Sequence, residues 1–257
     1  MTKVILFNKP YGVHSQFRKE HDEMQTLADF FTDKSLRVAG RLDKDSEGLL
    51  ILTDSGQLNH AITTPPSKRD GKKLGKTYLV QVENVPTTAQ ITQLKQGVTL
   101  KDGKTLPCEV SILNDLPIKL WERHPPIRER KSIATAWLAM TIFEGKNRQV
   151  RRMVAHVGLP CLRLIRYQVG RWRLNEAGEQ LAVGEHRVLH LDEVQLAQLG
   201  LTKSSKAHGA QAQESAKSTQ AFAKHHANGH KGSHKSASKT ANTHHKAAYA
   251  HKRRTVK

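Results

Sequence analysis

The amino-acid sequence predicts an α/β or α+β layered fold, and three observations support this prediction. Short apolar or alternating segments typical of β-strands occur along most of the chain. A few segments have helical periodicity instead, and clusters of Pro, Gly, Asn, Asp and Ser separate the two kinds of segment. Because strands and helices do not alternate regularly, a doubly wound parallel sheet is not expected.

The first half of the chain predicts two strands and two short helices. In chain order they cover residues 4–7 (strand), 27–31 (helix), 49–53 (strand) and 57–63 (helix). Lys9-Pro10-Tyr11-Gly12 ends the first strand, because Pro and Gly favour a turn. Residues 64–76 are rich in Lys and Pro, which predicts a basic loop.

The second half continues the mixed pattern. It predicts a strand over residues 77–83, a helix over 88–96, a strand over 135–143 and a helix over 147–157. A second basic loop that contains proline covers residues 122–132. Gly158 and Pro160 end the last helix, and such residues commonly follow a helix C-terminus.

Positive charge is unevenly divided along the chain. The formal charge is +19, and residues 202–257 hold ten Lys and two Arg against Glu214 alone, so this tail supplies +11. We therefore predict a globular domain over residues 1–201 and a disordered tail over 202–257, which is too poor in large apolar residues to order itself. Its scattered His residues do not repeat like metal ligands. Excess positive charge in both parts indicates a nucleic-acid partner.

Several classes of protein are disfavoured by composition. Cys108 and Cys161 cannot form a disulfide framework, and no cysteine cluster suggests a structural zinc, so a reducing compartment fits best. The amino-terminal apolar run is too short for a signal peptide, and no apolar run approaches the length of a membrane span. We expect a soluble, cytoplasmic protein that is not associated with a membrane.

The segment GRLDKDSEG places Asp43 in a glycine-bracketed loop directly before an apolar strand. In a strongly basic protein, this carboxylate is either a turn residue or the negative centre of a site for a polyanion. A calcium loop is a third interpretation, because acids occupy the first, third, fifth and twelfth places of an EF-hand. We reject it, since a strand follows where an exiting helix is required, and we predict no metal site.

Two further segments carry candidate site residues. On the helix over residues 147–157, Arg148 and Arg152 lie opposite the apolar face, which is also the pattern of a solvated basic surface. Arg151 lies on the shoulder of the apolar face, where its guanidinium needs a carboxylate partner. Lys76 and Tyr78 are two residues apart on a strand and therefore share one face, although an ordinary half-exposed strand has the same pattern. GKKLGKT is not a phosphate-binding Walker loop, because only three residues separate its glycines and a strand follows.

Four motifs together resemble the pseudouridine synthases of the RsuA/RluB/RluE/RluF group. They occur in family order over residues 3–193: KPYG, GRLDKDSEGLLILTDSG, GKTYLVQVE, and EGKNRQVRRMVAHVG followed by LPCLRLIRYQVG. The resemblance implies the pseudouridine synthase fold, an α+β structure with a mostly antiparallel mixed β-sheet flanked by helices and a catalytic cleft across the sheet. No single motif is specific, but four in order are.

The resemblance also implies the site residues. Asp43 is the essential catalytic residue, Tyr78 faces the uracil, and Arg151 pairs with Asp43. The remaining cations of these motifs are expected to contact RNA: Arg41, Lys76, Arg148 and Arg152. Asp45 and Glu47 are expected to be structural residues of the loop, without a role in catalysis. Asp43 has two open roles, as the nucleophile at the ribose or as a base that gives a glycal.

The short RluE branch is the best match, because the small amino-terminal RNA-binding domain of larger members is expected to be absent. This branch modifies a uridine in 23S ribosomal RNA, and the reaction requires no cofactor. We therefore expect a monomeric 23S rRNA pseudouridine synthase, with the tail adding nonspecific RNA affinity. The alternatives are a 16S rRNA or tRNA pseudouridine synthase, or a non-catalytic rRNA-binding assembly factor.

Overall fold

The computed structural model describes residues 1–64, 74–127, 130, 132–176 and 178–199. All of them belong to one compact unit, Met1–Lys203. The predicted disordered tail and most of the first predicted basic loop lie outside the described residues. Within the described part of the chain, no helix is both long and apolar enough to cross a membrane.

Strands dominate the described fold. In chain order they are β1 (Thr2–Lys9), β2 (Arg37–Ala39), β3 (Glu47–Thr53), β4 (Lys76–Glu83), β5 (Thr99–Leu100), β6 (Gly103–Lys104), β7 (Glu109–Leu113), β8 (Thr135–Ile142), β9 (Cys161–Val169), β10 (Trp172–Arg173), β11 (Asn175–Glu176), β12 (Glu179–Gln180) and β13 (His186–Leu191). The helices are α1 (Gly56–Thr63), α2 (Thr88–Gln96), α3 (Gln149–His156) and α4 (Glu193–Gln198). The predicted helix over residues 27–31 is a single 3-10 turn, Leu27–Asp29.

The central sheet has nine strands, seven of them in the order β13-β1-β3-β9-β4-β8-β7, while β2 pairs with β3 and β10 pairs with β9. The pair β3 and β9 is parallel, and the other neighbouring pairs are antiparallel. The predicted α+β fold with a mostly antiparallel mixed sheet is therefore confirmed. The parallel contact is short, with Glu47 opposite Ile165 and Gly48 opposite Arg166.

Both faces of this sheet are covered by apolar side chains. Alternation along β4 directs Val80 to one face and Leu79 to the other, and each belongs to a separate buried cluster. Helix α3 packs on the Val80 face through Met153 and Val154, which are fully buried. The sheet therefore fixes α3 on the same face as Tyr78, which also belongs to the Val80 cluster.

The predicted helix over residues 147–157 begins later than expected. Arg148 has φ 45° and ψ 34°, a left-handed conformation, and α3 starts at Gln149. The Gln149 side chain ties the preceding turn together, because its carbonyl accepts from the Lys146 amide at 2.9 Å and its NH₂ group donates to Glu144 at 2.6 Å. Arg148 consequently lies in the turn that leads into α3.

Candidate active site

A cleft of about 500 Å³ opens on the face of the sheet that carries α3. It is lined by the segment from Val38 to Ser46, the start of β4, the turn before α3, and β9. Five predicted site residues line it: Arg41, Asp43, Lys76, Tyr78 and Arg148. Motifs that are far apart in the sequence therefore meet at one cavity, as a catalytic cleft requires.

Asp43 lies in a tight turn directly before β3. The Ser46 amide donates to the Asp43 carbonyl at 3.1 Å, which closes the turn. Gly48 follows with φ +100°, and a Cβ atom there would lie 2.5 Å from the carbonyl oxygen of Arg166 on β9. Because only glycine permits both this φ and this close approach, the parallel contact between β3 and β9 fixes the turn that carries Asp43.

A buried arginine holds the other end of this turn. The side chain of Arg166 is 1% exposed, and its guanidinium donates to the carbonyl oxygens of Leu49 at 2.7 Å, Gly40 at 2.8 Å and Arg41 at 3.4 Å. These bonds fix the backbone on both sides of Asp43. The sequence prediction missed this residue, although LPCLRLIRYQVG placed it in a recognisable motif.

The prediction that Arg151 pairs with Asp43 is wrong. Arg151 instead donates to the main-chain carbonyl of Asp45 at 2.6 Å, and its Nε lies 3.5 Å from the Asp45 carboxylate. The shoulder position on α3 was correctly read as requiring an acid partner. The prediction failed because of the turn that the Ser46 amide closes. This turn places Asp45, and not Asp43, against the start of α3.

Arg148 is bound by the same carboxylate. Its two Nη atoms donate to the two oxygens of Asp45 at 2.8 Å and 2.7 Å, a bidentate pair. Burial disfavours the charged form of Asp45, but the hydrogen bonds from Arg148 and the nearby charge of Arg151 outweigh it and hold its pKa below the ordinary value. The prediction that Asp45 is only loop structure therefore needs correction.

Asp43 keeps its oxygens more open than Asp45 does. Its side chain is 35% exposed, and its ion-pair partner is Arg148 at 3.8 Å, which is beyond hydrogen-bond distance. The cleft lining combines polar residues with the apolar side chains of Leu42, Ile142, Val150 and Leu164. A flat ring with polar edges can therefore enter beside an accessible carboxylate.

Tyr78 and Lys76 occupy neighbouring positions of one β4 face, as predicted. The Tyr78 ring is 8% exposed and packs in the apolar cluster below the cleft. The Lys76 ammonium lies close to Gly145. Its Nζ is 3.7 Å from the position that a Cβ atom would occupy on that glycine. An aromatic side chain deep in the cleft and a cation at its edge suit a ligand with a base and a phosphate.

Comparison with known proteins decides the family. The model of the RNA pseudouridylate synthase family matches residues 3–156, which include the turn with Asp43, the start of β4 and the whole of α3. The chain belongs to this family. The resemblance expected from the four motifs is thereby confirmed.

Relatives of this pseudouridylate synthase agree with the family match. The chain is 53% identical over 174 residues to ribosomal large subunit pseudouridine synthase E of Vibrio vulnificus, covering 68% of this chain and 71% of that protein. It is 50% identical over 173 residues to the protein of the same name from Xanthomonas axonopodis pv. citri, covering 67% and 88%. A crystal structure of a pseudouridylate synthase superposes with a TM-score of 0.58 at 28% identity, covering 78% of this chain and 74% of that one.

Two predicted roles need qualification in this synthase. Arg152 does not line the cleft, and it forms a bidentate pair with Asp102 at 2.7 Å and 3.0 Å. Glu47, expected to be loop structure, is the first residue of β3, and its buried carboxylate accepts from Arg163 at 2.8 Å and 2.9 Å and from Trp121 at 2.8 Å. Glu47 therefore anchors the strand that follows the Asp43 turn.

Proposed function

We propose that this RNA pseudouridylate synthase converts a specific uridine of 23S ribosomal RNA to pseudouridine, as a monomeric cytoplasmic enzyme. The observation that carries the proposal is Asp43, an accessible carboxylate in a cleft that is also lined by Tyr78 and by several cations. The choice of 23S rRNA rests on the relatives at 50–53% identity, whose name specifies the large ribosomal subunit.

The reaction is an isomerisation of the nucleotide. The bond between ribose C1′ and uracil N1 breaks, the base turns within the cleft, and a bond forms from C1′ to C5 while the C5 proton is lost and N1 gains one. No electron or external group enters or leaves, so the protein residues must supply the chemistry. The uridine must leave the base stack to reach Asp43, because C1′ and the turning base are inaccessible within a helix.

Asp43 acts on the ribose in this proposal, either as the nucleophile at C1′ or as the base that removes a ribose proton. Both roles need a charged carboxylate with free oxygens, and the 3.8 Å separation from Arg148 supplies a stabilising charge without covering those oxygens. In this proposal Tyr78 stacks on the uracil and helps to remove the C5 proton. Its burial keeps the ring in one orientation.

RNA phosphates are bound at the rim by Arg41, Lys76 and Arg148, which line the cleft. Phosphate contacts supply most of the affinity of RNA-binding proteins and make it dependent on salt. Arg152 is left out of the proposed RNA surface, because it does not line the cleft and lies against Asp102 instead. The cleft thus divides into an outer cationic rim and an inner site with Asp43.

The decisive experiment compares rRNA modification by the wild type and by Asp43→Asn. We expect the variant to form no pseudouridine in 23S rRNA while it binds the RNA within about twofold of the wild type, since the isosteric amide removes the charge needed for the covalent or base role. Asp115→Asn, an exposed site outside the cleft, is the control and keeps full activity.

Each alternative gives a different result in the same experiment. Mapping pseudouridines in cells with and without the gene reveals a missing site in 16S rRNA or tRNA if one of those is the target. A non-catalytic assembly factor leaves every modification in place. Turnover by Asp43→Asn above about a tenth of the wild-type rate contradicts the assignment of Asp43.

A further inference from the structure

The carboxylate that holds the arginines of this site is Asp45. It receives two hydrogen bonds from Arg148, at 2.8 Å and 2.7 Å, and its main-chain carbonyl receives one from Arg151 at 2.6 Å. The side chain of Arg151 is only 13% exposed, while that of Asp45 is 31% exposed. Asp45, in the loop before β3, thus binds one arginine from the turn before α3 and one from α3 itself.

Arg148 adopts a backbone conformation that requires such support. Its φ of 45° lies in the left-handed region, and its side chain makes no capping bond to α3. A non-glycine residue is strained there, and strain of this kind persists where the surrounding contacts determine it. The bidentate pair with Asp45 is a contact of that kind, since it fixes both the position and the plane of the guanidinium.

The same pair controls how close Arg148 comes to Asp43. With both Nη atoms bound to Asp45, the guanidinium stops 3.8 Å from an oxygen of Asp43. Without the Asp45 charge, Asp43 becomes the nearest acid for Arg148. A bidentate pair at Asp43 then covers the oxygens that must reach the ribose.

We propose that Asp45 is a positioning residue of this synthase, which holds Arg148 and Arg151 in place and keeps Arg148 from closing on Asp43. The proposal rests on the proposed catalytic role of Asp43. It assigns no contact between Asp45 and the substrate. The family motif and the helical periodicity of α3 did not indicate this role.

The test measures kcat and KM for Asp45→Asn. We expect kcat to fall about 100-fold, because a shift of about 1 Å in a catalytic group has an effect of that size, while KM changes less than about threefold. The matched control is Asp102→Asn, which removes a bidentate pair with Arg152 on the same helix but outside the cleft lining. This control keeps the wild-type kcat.

Two further measurements separate positioning from a structural role. We expect the guanidinium NMR signals of Arg148, whose two Nη atoms bind the Asp45 carboxylate, to broaden in Asp45→Asn and to stay unchanged in Asp102→Asn. In a double-mutant cycle, Arg148→Gln should lower kcat much less in the Asp45→Asn background than in the wild type, because the two residues act as a unit. Additive losses overturn the proposal.

A kcat of Asp45→Asn within about threefold of the wild type also overturns the proposal, and so do unchanged guanidinium signals. If Asp45→Asn melts below the assay temperature, Asp45→Glu replaces it. The longer side chain keeps the charge but displaces the carboxylate, and kcat should fall at least tenfold with KM unchanged; wild-type kcat contradicts the proposal. An inactive wild type refutes the proposed function instead, whereas an active wild type with inactive Asp43→Asn and active Asp45→Asn refutes the role of Asp45 alone.

Discussion

Lys9, at the end of β1, is a buried lysine whose titration should make the stability of this protein depend on pH. Its side chain is 0% exposed, and its ammonium donates to the carbonyl oxygens of Pro10 and Val13, both at 2.8 Å. Its pKa is lowered from 10.5 to about 7, chiefly by burial, which the nearby charge of Glu47 opposes and that of Arg166 reinforces. The perturbation we consider is Lys9→Met, which keeps the length of the side chain and removes its charge.

The sign of the effect follows from proton binding. Between pH 7 and 10.5 the unfolded chain keeps a proton on Lys9 that the folded protein has begun to release, so the free energy of unfolding rises with pH in this window. Proton linkage over this shift gives a gain of about 2 kcal/mol between about pH 7 and about pH 9. Below the folded pKa the full penalty of the buried charge is present.

The assay is urea unfolding of the wild type and Lys9→Met at these two pH values. Met loses the two hydrogen bonds at either pH, and other titrating groups are common to both proteins. The difference in pH dependence between the two proteins therefore isolates Lys9. We expect the wild type to gain about 2 kcal/mol more than the variant on going to the higher pH. Equal gains would refute the reasoning that the ammonium is buried at a cost.

Two substitutions beside the Asp43 turn give further predictions. Glu47→Gln should lower the free energy of unfolding by about 3–5 kcal/mol in urea, because it leaves Arg163 without its buried charge partner; a loss below about 1 kcal/mol contradicts this. Gly48→Ala should cost well over the about 1–2 kcal/mol of positive φ alone, because its Cβ meets the Arg166 carbonyl at 2.5 Å. Gly178→Ala, with φ +84° and open space, is the control, and equal losses would exclude the clash.

Local patterns were sufficient for much of the fold. The alternation over residues 77–83 predicted β4, and the apolar run over 49–53 predicted β3, because both strands bury their side chains in the ordinary way. Strand β9 was not predicted, although it lies between β3 and β4. Its pattern contains the buried Arg163 and Arg166, whose partners are a carboxylate and carbonyl oxygens more than 100 residues away. An arginine in a sequence is ordinarily assigned to the protein surface, and only its partner in the folded structure shows that it is buried.

The sequence predicted which segments form the candidate site, but not how their side chains pair. Motifs identified Asp43 and Tyr78, and the structure brings both to one cleft. Helical periodicity correctly indicated that Arg151 needs an acid, but it gives a direction from the helix axis and no register against a distant loop. The choice between Asp43 and Asp45 depends on how the turn closed by Ser46 lies against α3, which the helix sequence alone does not give.

The three acids of the segment from Asp43 to Glu47 differ in what surrounds them, and these surroundings separate their roles. Glu47 is 1% exposed and is paired with Arg163 of the neighbouring strand β9, so it stabilises β3. Asp45 is bound to Arg148, in the turn before α3, and to Arg151 of α3. Asp43 is left with a cation at 3.8 Å and an open side towards the cleft. Because Arg148 is already bound by Asp45, its charge stabilises Asp43 at a distance while the Asp43 oxygens stay available, which is the condition that either mechanism at the ribose requires.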